Sequence, residues 1–320
     1  MRANVTRRSF LQASIASVPI AAAVPALGLA ADATNDRAAG FKLGIITDEI
    51  TSDLEEALKF ITSYGLHYCE LREFWGKNVM NSPQEDLDRA KKLLAQYSVQ
   101  VSDIGSPIFK WDMPGMPGKN DGERATSKAT YGEADSDKML EQSFKLAHHF
   151  DSHKVRIFSY WRVEEPDKVF ARVSERLAKA AKLAAKNDII LVLENEYSCN
   201  VGTGKELGKM IKHVNSPNLR GVWDPGNAAF LGETPFPDGY EACKGTFAHM
   251  HIKDAGTSAK TGKRAWMPVG GGNIDFKSQF AALHKENYSG TMSLETHYRR
   301  PDGNKMESTR ESLEGLLKVI

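Results

Sequence analysis

Eight times along this chain a short apolar run is followed by a longer segment whose apolar residues recur at helical spacing, and few architectures accept that string. The runs occupy 41–46, 68–71, 99–105, 154–158, 189–193, 219–223, 248–252 and 291–294. After the first, Leu54, Ala57, Leu58 and Ile61 fall on one helical face. After the second, Pro83, whose fixed φ suits a first helical turn, opens a helix expected over 83–97. The fifth run, Ile189-Ile190-Leu191-Val192-Leu193, is apolar throughout, as a parallel strand covered on both faces must be. A last helix is expected over 308–319. Eight alternations predict an α/β fold, a single-domain (β/α)₈ TIM barrel over 41–320; an eight-stranded doubly wound sheet would produce the same string. No internal repeat interrupts it. The Pro/Gly/Lys-rich segment 108–133 is the longest irregular stretch and follows the third strand, where a barrel loop would roof the active face.

The chain begins differently. Thr6-Arg7-Arg8-Ser9-Phe10-Leu11 precedes an uncharged, Ala-rich stretch from Ala13 to Ala31, with small residues before Asp32. A basic n-region, an apolar h-region and small residues at the end describe a removable leader. The paired arginines before Phe-Leu resemble a twin-arginine export signal, so residues 1–31 are expected to be a signal peptide, 32–40 a linker, the export machinery a partner and the location periplasmic or otherwise exported. The full chain has 42 basic and 41 acidic residues; Arg2, Arg7 and Arg8 leave with the leader and no acid does, so the remainder is slightly acidic. That excludes a binder that relies on overall basic excess to release phosphate counterions, and no nucleic-acid partner is expected. Three scattered cysteines, Cys69, Cys199 and Cys243, form neither a disulfide framework nor a zinc motif and are expected as small buried fillers.

In a TIM barrel the chemistry sits where strands end. Strand two ends in Glu70-Leu71-Arg72, strand five in Glu194-Asn195-Glu196, strand six in Asp224-Pro225-Gly226-Asn227; strand seven carries His249-Met250-His251-Ile252-Lys253-Asp254, and strand eight ends in Glu295-Thr296-His297. Four consecutive strands thus end in metal-competent side chains. Glu194, Asp224, His251 and Glu295 make a mainly hard-oxygen set suited to one divalent ion, Mn²⁺, Mg²⁺ or Co²⁺, with Zn²⁺ compatible. Without a cation the three carboxylates would raise one another's pKa. The alternative is an ordinary salt-bridge network with Arg156 or Lys253. His249 shares the facing of His251 but lies deeper, as a core or supporting histidine; His67, His148, His149, His153, His213 and His284 are expected in surface or packing roles.

Gly44-Ile45-Ile46-Thr47-Asp48-Glu49-Ile50, Glu70-Leu71-Arg72, Leu193-Glu194-Asn195, Trp223-Asp224-Pro225-Gly226-Asn227, His249-Met250-His251-Ile252-Lys253-Asp254 and Gly270-Gly271-Gly272-Asn273-Ile274-Asp275 together resemble the sugar phosphate isomerase/epimerase family of the xylose isomerase-like TIM barrel superfamily. That superfamily also holds tagatose 3-epimerase-like enzymes, inosose dehydratases, hydroxypyruvate isomerases and endonuclease IV. By this resemblance Glu194, Asp224, His251 and Glu295 match the family's metal ligands, and Glu194 and Glu295 also match the acid-base pair of the ketose epimerases. Departures matter too. Endonuclease IV needs a histidine three residues after the strand-six aspartate, where this chain has Asn227, and its Asp-x-His pair after strand seven is replaced by Arg264-Ala265-Trp266. A one-metal site is therefore expected and DNA repair is not. The same histidine contacts substrate in ketose epimerases, so Asn227 changes a substrate-facing position. Many relatives have histidine two residues after the strand-five glutamate; here Glu196 adds a carboxylate.

The implied reaction is proton abstraction beside a carbonyl of a metal-bound sugar, with Glu194 and Glu295 on opposite sides of the substrate. Arg72 and Lys253 are expected to bind substrate oxygens, and Trp75, Trp111 and Trp266 to offer apolar platforms, packing being the competing role for each. An exported enzyme meets free sugars rather than cytoplasmic sugar phosphates, so the expected substrate is a non-phosphorylated keto-sugar or sugar derivative. Isomerase/epimerase is the first reading. A lyase or dehydratase on 3-keto-glycosides or inososes would use the same site, and a non-catalytic periplasmic sugar-binding barrel is the third. A homo-oligomer is compatible with all three.

Overall fold

The computed structural model describes residues 38–120, 124–125 and 131–320. The leader expected over 1–31, most of the 32–40 linker and part of the 108–133 segment lie outside the described residues.

Strands β1 (Lys42–Ile46), β2 (Tyr68–Leu71), β3 (Gln100–Ile104), β4 (Lys154–Ile157), β5 (Ile190–Glu194), β6 (Leu219–Trp223), β7 (Phe247–Ile252) and β8 (Thr291–Leu294) match the eight apolar runs. They close in the order β1-β8-β7-β6-β5-β4-β3-β2, every neighbouring pair parallel. The fold is a closed TIM barrel, not an open sheet. Helices α1 (Leu54–Ser63), α2 (Gln84–Gln96), α3 (Ser136–His149), α4 (Phe170–Ala185), α5 (Gly204–Val214), α6 (Phe276–Lys285) and α7 (Lys305–Val319) surround it. The unit after β6 has short helical segments instead, Pro225–Phe230, Pro235–Gly239 and Tyr240–Cys243. Local chemistry starts several of these helices: Asp53 accepts from the Glu56 amide before α1, and Thr203 and Glu206 form a reciprocal capping box before α5. Such caps satisfy amide donors that the helix itself cannot, at about 1 kcal/mol each.

Side-chain alternation along the strands divides the molecule into two environments. Val155, Ile157, Leu191, Leu193, Leu43 and Ile45 are buried in one continuous apolar cluster between strands and helices. The alternate positions face the barrel axis, and there the chain places charge: Arg156, Glu70, His249, His251 and Glu194 are all buried. Cys69, Cys199 and Cys243 are buried and not joined in a disulfide, and burial pushes the Cys69 thiol up, in keeping with a filler role.

The described part of the loop after β3 is tightly held. Phe158, Tyr160 and Trp161 donate their amides to the carbonyls of Ile108, Phe109 and Trp111 at 2.9, 2.7 and 3.0 Å, so the loops after β3 and β4 pair at the top of the barrel. Phe109 and Tyr160 both adopt positive φ, 64° each, a costly conformation that this pairing holds in place. Among the described residues no helix is long and apolar enough to cross a membrane.

Candidate active site

Asp224 shows how the backbone aims a ligand. It ends β6 and caps the helix Pro225–Phe230, whose first residue is the proline that a first turn accepts. Its Oδ1 takes the Asn227 amide at 2.8 Å, which leaves Oδ2 for the barrel axis. Asn195 braces it from the neighbouring strand end: its Nδ2 donates to the Asp224 carbonyl and its Oδ1 accepts the Asp224 amide, both at 2.8 Å.

One ligand atom each from Glu194, Asp224, His251 and Glu295 lies within 4.8 Å of the others, and all four residues are buried. His251 Nδ1 stands 3.3 Å from Glu194 Oε1, 3.3 Å from Glu295 Oε2 and 3.8 Å from Asp224 Oδ2. Lys253 Nζ reaches Asp224 Oδ2 at 3.0 Å and Glu295 Oε2 at 2.7 Å, and Arg156 Nη1 lies 3.4 Å from Glu194 Oε2. The expected salt-bridge partners are therefore present alongside the four candidate ligands.

These cations do not complete the site. His251 Nδ1, Glu194 Oε2 and Asp224 Oδ2 are buried and make no well-formed hydrogen bond, their polar contacts being the charge pairs just described. Buried polar atoms are ordinarily satisfied by hydrogen bonds, so a buried group of three carboxylates and an imidazole that relies on charge pairs fits a bound cation with oxygen and nitrogen ligands. The electrostatics agree. Burial alone would raise the Glu194 carboxyl, but His251 and Arg156 outweigh it and hold it at about 2. Burial, aided by Glu295 and Glu194, pushes Asp224 up against the pull of Lys253. Burial would favour neutral His251, but Glu70, Glu194 and Glu295 outweigh it and hold the ring charged well above the usual histidine range.

A cavity of about 210 Å³ opens beside this cluster, lined among others by Arg72, Lys110, Arg156, Glu196, Glu295 and His297. Arg72 is saturated: its guanidinium meets Asp48 Oδ2 and Glu49 Oε1 at 2.7 Å and Glu295 Oε1 at 2.9 Å. Glu196 accepts from the Ser198 hydroxyl at 3.0 Å and has Lys110 Nζ at 3.5 Å. Asn227 Nδ2 donates to Glu194 Oε1 at 3.1 Å and so lies behind a candidate ligand. Trp266 is half-buried on the hairpin formed by Asp254–Thr257 and Arg264–Met267, stacked on Phe230 at 3.9 Å, with Lys253 Nζ 4.9 Å from its ring centre and His297 edge-on at 5.1 Å.

Trp111 is not at the cavity. Its ring packs on Phe109, only 4% exposed, and its indole N–H reaches Glu133 at 3.4 Å, so the described structure gives it a packing role. Trp75 likewise packs on Phe74 beneath the Arg89 guanidinium, away from the cavity lining. Sequence reasoning assigned no role to Lys110, His297 or Glu49. A charged residue inside an apolar strand, as in Lys154-Val155-Arg156-Ile157, was the available signal for Arg156 at the axis.

The family described as xylose isomerase-like TIM barrel matches residues 58–319. An inosose dehydratase from Clostridium tetani is 24% identical over 148 residues, 42% of this chain; the match spans about half of that protein, 49% of its length. Among solved structures, the IOLI protein with a bound zinc atom superimposes with a TM-score of 0.67 at 15% identity, covering 87% of this chain and 98% of its own. A 3-keto-D-glucoside 4-epimerase from E. coli gives 0.61 at 15% identity, covering 88% and 100%. At such identities the structural likeness is one of fold; the family follows from the match over most of the sequence. The chain belongs to the xylose isomerase-like TIM barrel family.

Proposed function

We propose that this protein is an exported, divalent-metal-dependent enzyme that removes a proton next to the carbonyl of a non-phosphorylated keto-sugar or sugar derivative, with isomerisation or epimerisation as the outcome. The observation that carries this reading is the grouping of four buried ligand-competent side chains, Glu194, Asp224, His251 and Glu295, with one ligand atom of each within 4.8 Å of the others, beside a cavity. Glu194, Asp224, His251 and Glu295 would hold the metal, which when bound would polarise the substrate carbonyl and stabilise the negative charge that develops on it. Glu194 and Glu295 come from β5 and from just beyond β8, so they reach the site from different sides. One takes the proton from carbon and the other returns one. Against their burial, both carboxylates are held below the usual range, Glu194 by His251 and Arg156 and Glu295 by Lys253, His297 and His251, so either is unprotonated and able to accept. Lys253 orients substrate oxygens. Arg72, already committed to three carboxylates, fixes Glu295 in place. The cations lining the cavity are matched by carboxylates, which suits an uncharged substrate better than a phosphate ester.

The aromatic shelf of Tyr197, Phe230 and Trp266 favours a second reading. Half-buried rings next to Lys253 suit a second ring attached to the reacting sugar, as in a 3-keto-glycoside. With such a substrate the same proton abstraction expels the aglycone, and the reaction is a lyase reaction.

The test uses protein beginning at Asp32, loaded in turn with Mn²⁺, Mg²⁺, Co²⁺ or Zn²⁺ and incubated in D₂O with free ketoses and with a 3-keto-glucoside. Deuterium entering an intact sugar and lost in Glu295→Gln supports isomerisation; release of aglycone supports the lyase reading. Sugar binding without either reaction under any metal overturns both in favour of a binding protein. Export is tested separately, by retention of an Arg7→Lys, Arg8→Lys double variant in the cytoplasm.

A further inference from the structure

The two ring nitrogens of His251 have different surroundings. Nδ1 faces Glu194, Glu295 and Asp224 and makes no well-formed hydrogen bond. Nε2 points the other way, to Glu70 Oε2 at 2.9 Å. Glu70 is fully buried and comes from β2, on the far side of β1 and β8 from His251. It is itself held: Arg156 Nη1 stands 3.4 Å from its Oε1 and His249 Nε2 3.4 Å from its Oε2. His249, whose Nδ1 meets the Thr291 hydroxyl at 2.6 Å, also stacks edge-on against the His251 ring at 5.4 Å and 89°.

An ionised carboxylate can only accept hydrogen bonds, so the ring nitrogen that faces it must carry the proton. We propose that Glu70 is a positioning residue that holds the Nε2–H of His251, so that the proton given up on metal binding leaves Nδ1, whose lone pair is then aimed at the candidate metal position. Arg156 and His249 keep Glu70 from turning away, and the His249 ring blocks rotation of the imidazole. A histidine that coordinates a metal through one nitrogen commonly donates its other N–H to a carboxylate, which sets tautomer and orientation together. The proposal rests on the metal reading given above.

The experiment uses zinc, which is diamagnetic, with two readouts that need no substrate. In the zinc-loaded parent protein, ¹⁵N–¹H spectra of the His251 ring should show a coordinated Nδ1 and a protonated Nε2; coordination through Nε2 overturns the proposal without any variant. Chelator competition should show zinc affinity reduced roughly 10- to 100-fold in Glu70→Gln, with the Nε2–H signal shifted or broadened. Glu70→Asp keeps the charge but draws it back from the ring, so a comparable loss there points to orientation, and parent-like affinity there overturns it. Melting in EDTA checks that each variant is folded. If the parent itself takes up no zinc, manganese, magnesium or cobalt in equilibrium dialysis, the metal reading falls and this inference with it; if the parent binds zinc and both variants match it, this inference alone falls.

Discussion

The Lys253 ammonium bridges two of the four candidate ligands, 2.7 Å from Glu295 Oε2 and 3.0 Å from Asp224 Oδ2, while its other side lies against the Trp266 ring. It is 2% exposed, and four carboxylates, Asp224 foremost and then Glu295, Glu194 and Glu196, outweigh its burial to keep it charged. A fixed positive charge next to a dication is repulsive. Replacing it by an isosteric apolar chain, Lys253→Met, is expected to tighten divalent-metal binding by about fivefold or more, since a neighbouring unit charge is worth on the order of 1 kcal/mol even when well screened. Turnover should fall at the same time, because the substrate loses its ammonium contact. Calorimetric metal titration beside steady-state kinetics checks both directions; weaker metal binding in the variant contradicts the geometry.

Glu194→Gln and Glu295→Gln are expected each to lower kcat by roughly 10²–10⁴-fold, the usual worth of a positioned acid or base. The apolar shell around the barrel is untouched by either change, so circular dichroism should show a native fold. The double variant should be little worse than the worse single one if the two carboxylates act as one proton-transfer unit.

Metal binding should raise thermal stability and release protons. At a cation concentration about 100-fold above Kd the gain is about 2.7 kcal/mol, which for a domain of this size moves Tm by roughly 5–10 °C. His251 is held charged in the metal-free site by Glu70, Glu194 and Glu295 against its burial. The cation needs Nδ1 free, so one proton leaves per ion bound and affinity rises with pH, up to about tenfold per unit below the pKa of His251. Titrations at pH 6, 7 and 8 in buffers of different ionisation enthalpy measure the proton directly; pH-independent affinity contradicts His251 as a ligand.

Gly315 lies on α7 where a Cβ would meet the Val269 carbonyl oxygen at 1.9 Å. Gly315→Ala must push the helix from the Gly270-Gly271-Gly272 turn and is expected to cost about 1–3 kcal/mol. Gly132→Ala, where nothing lies within 4 Å, is the control and should change stability by about 0.5 kcal/mol or less. Urea denaturation of the two variants decides the matter.

The fold was legible because short strand-forming runs, some of them apolar throughout as at 189–193, alternated with longer segments of helical periodicity. The run at 219–223 coincides with β6, and that at 189–193 is offset from β5 by one residue at each end. The four candidate ligands were legible for a related reason: strand ends in a parallel barrel all emerge on one face, so Glu194, Asp224, His251 and Glu295 could be grouped without knowing the strand register. What surrounds them was not. Glu70 and His251 are 181 positions apart and touch only because closure of the barrel brings inward side chains of β2 and β7 together, which no local pattern records. Trp111 was misplaced because an aromatic residue in a loop after a strand reads alike whether it faces a cavity or folds under onto Phe109. Lys110, one position earlier, was overlooked although its side chain reaches Glu196.

The two-residue alternation of the strands makes the cohesive layer of this protein a ring. Leu191 and Leu193 belong to the greasy annulus, while Val192 and Glu194 look down its hole. Exchanging one inward side chain for another rewrites the chemistry without loosening the annulus. Several strands supply such positions, some of them two, as β5 does with Val192 and Glu194. Diversification of barrels built this way can proceed rung by rung down the axis, each step sampled against an unchanged frame.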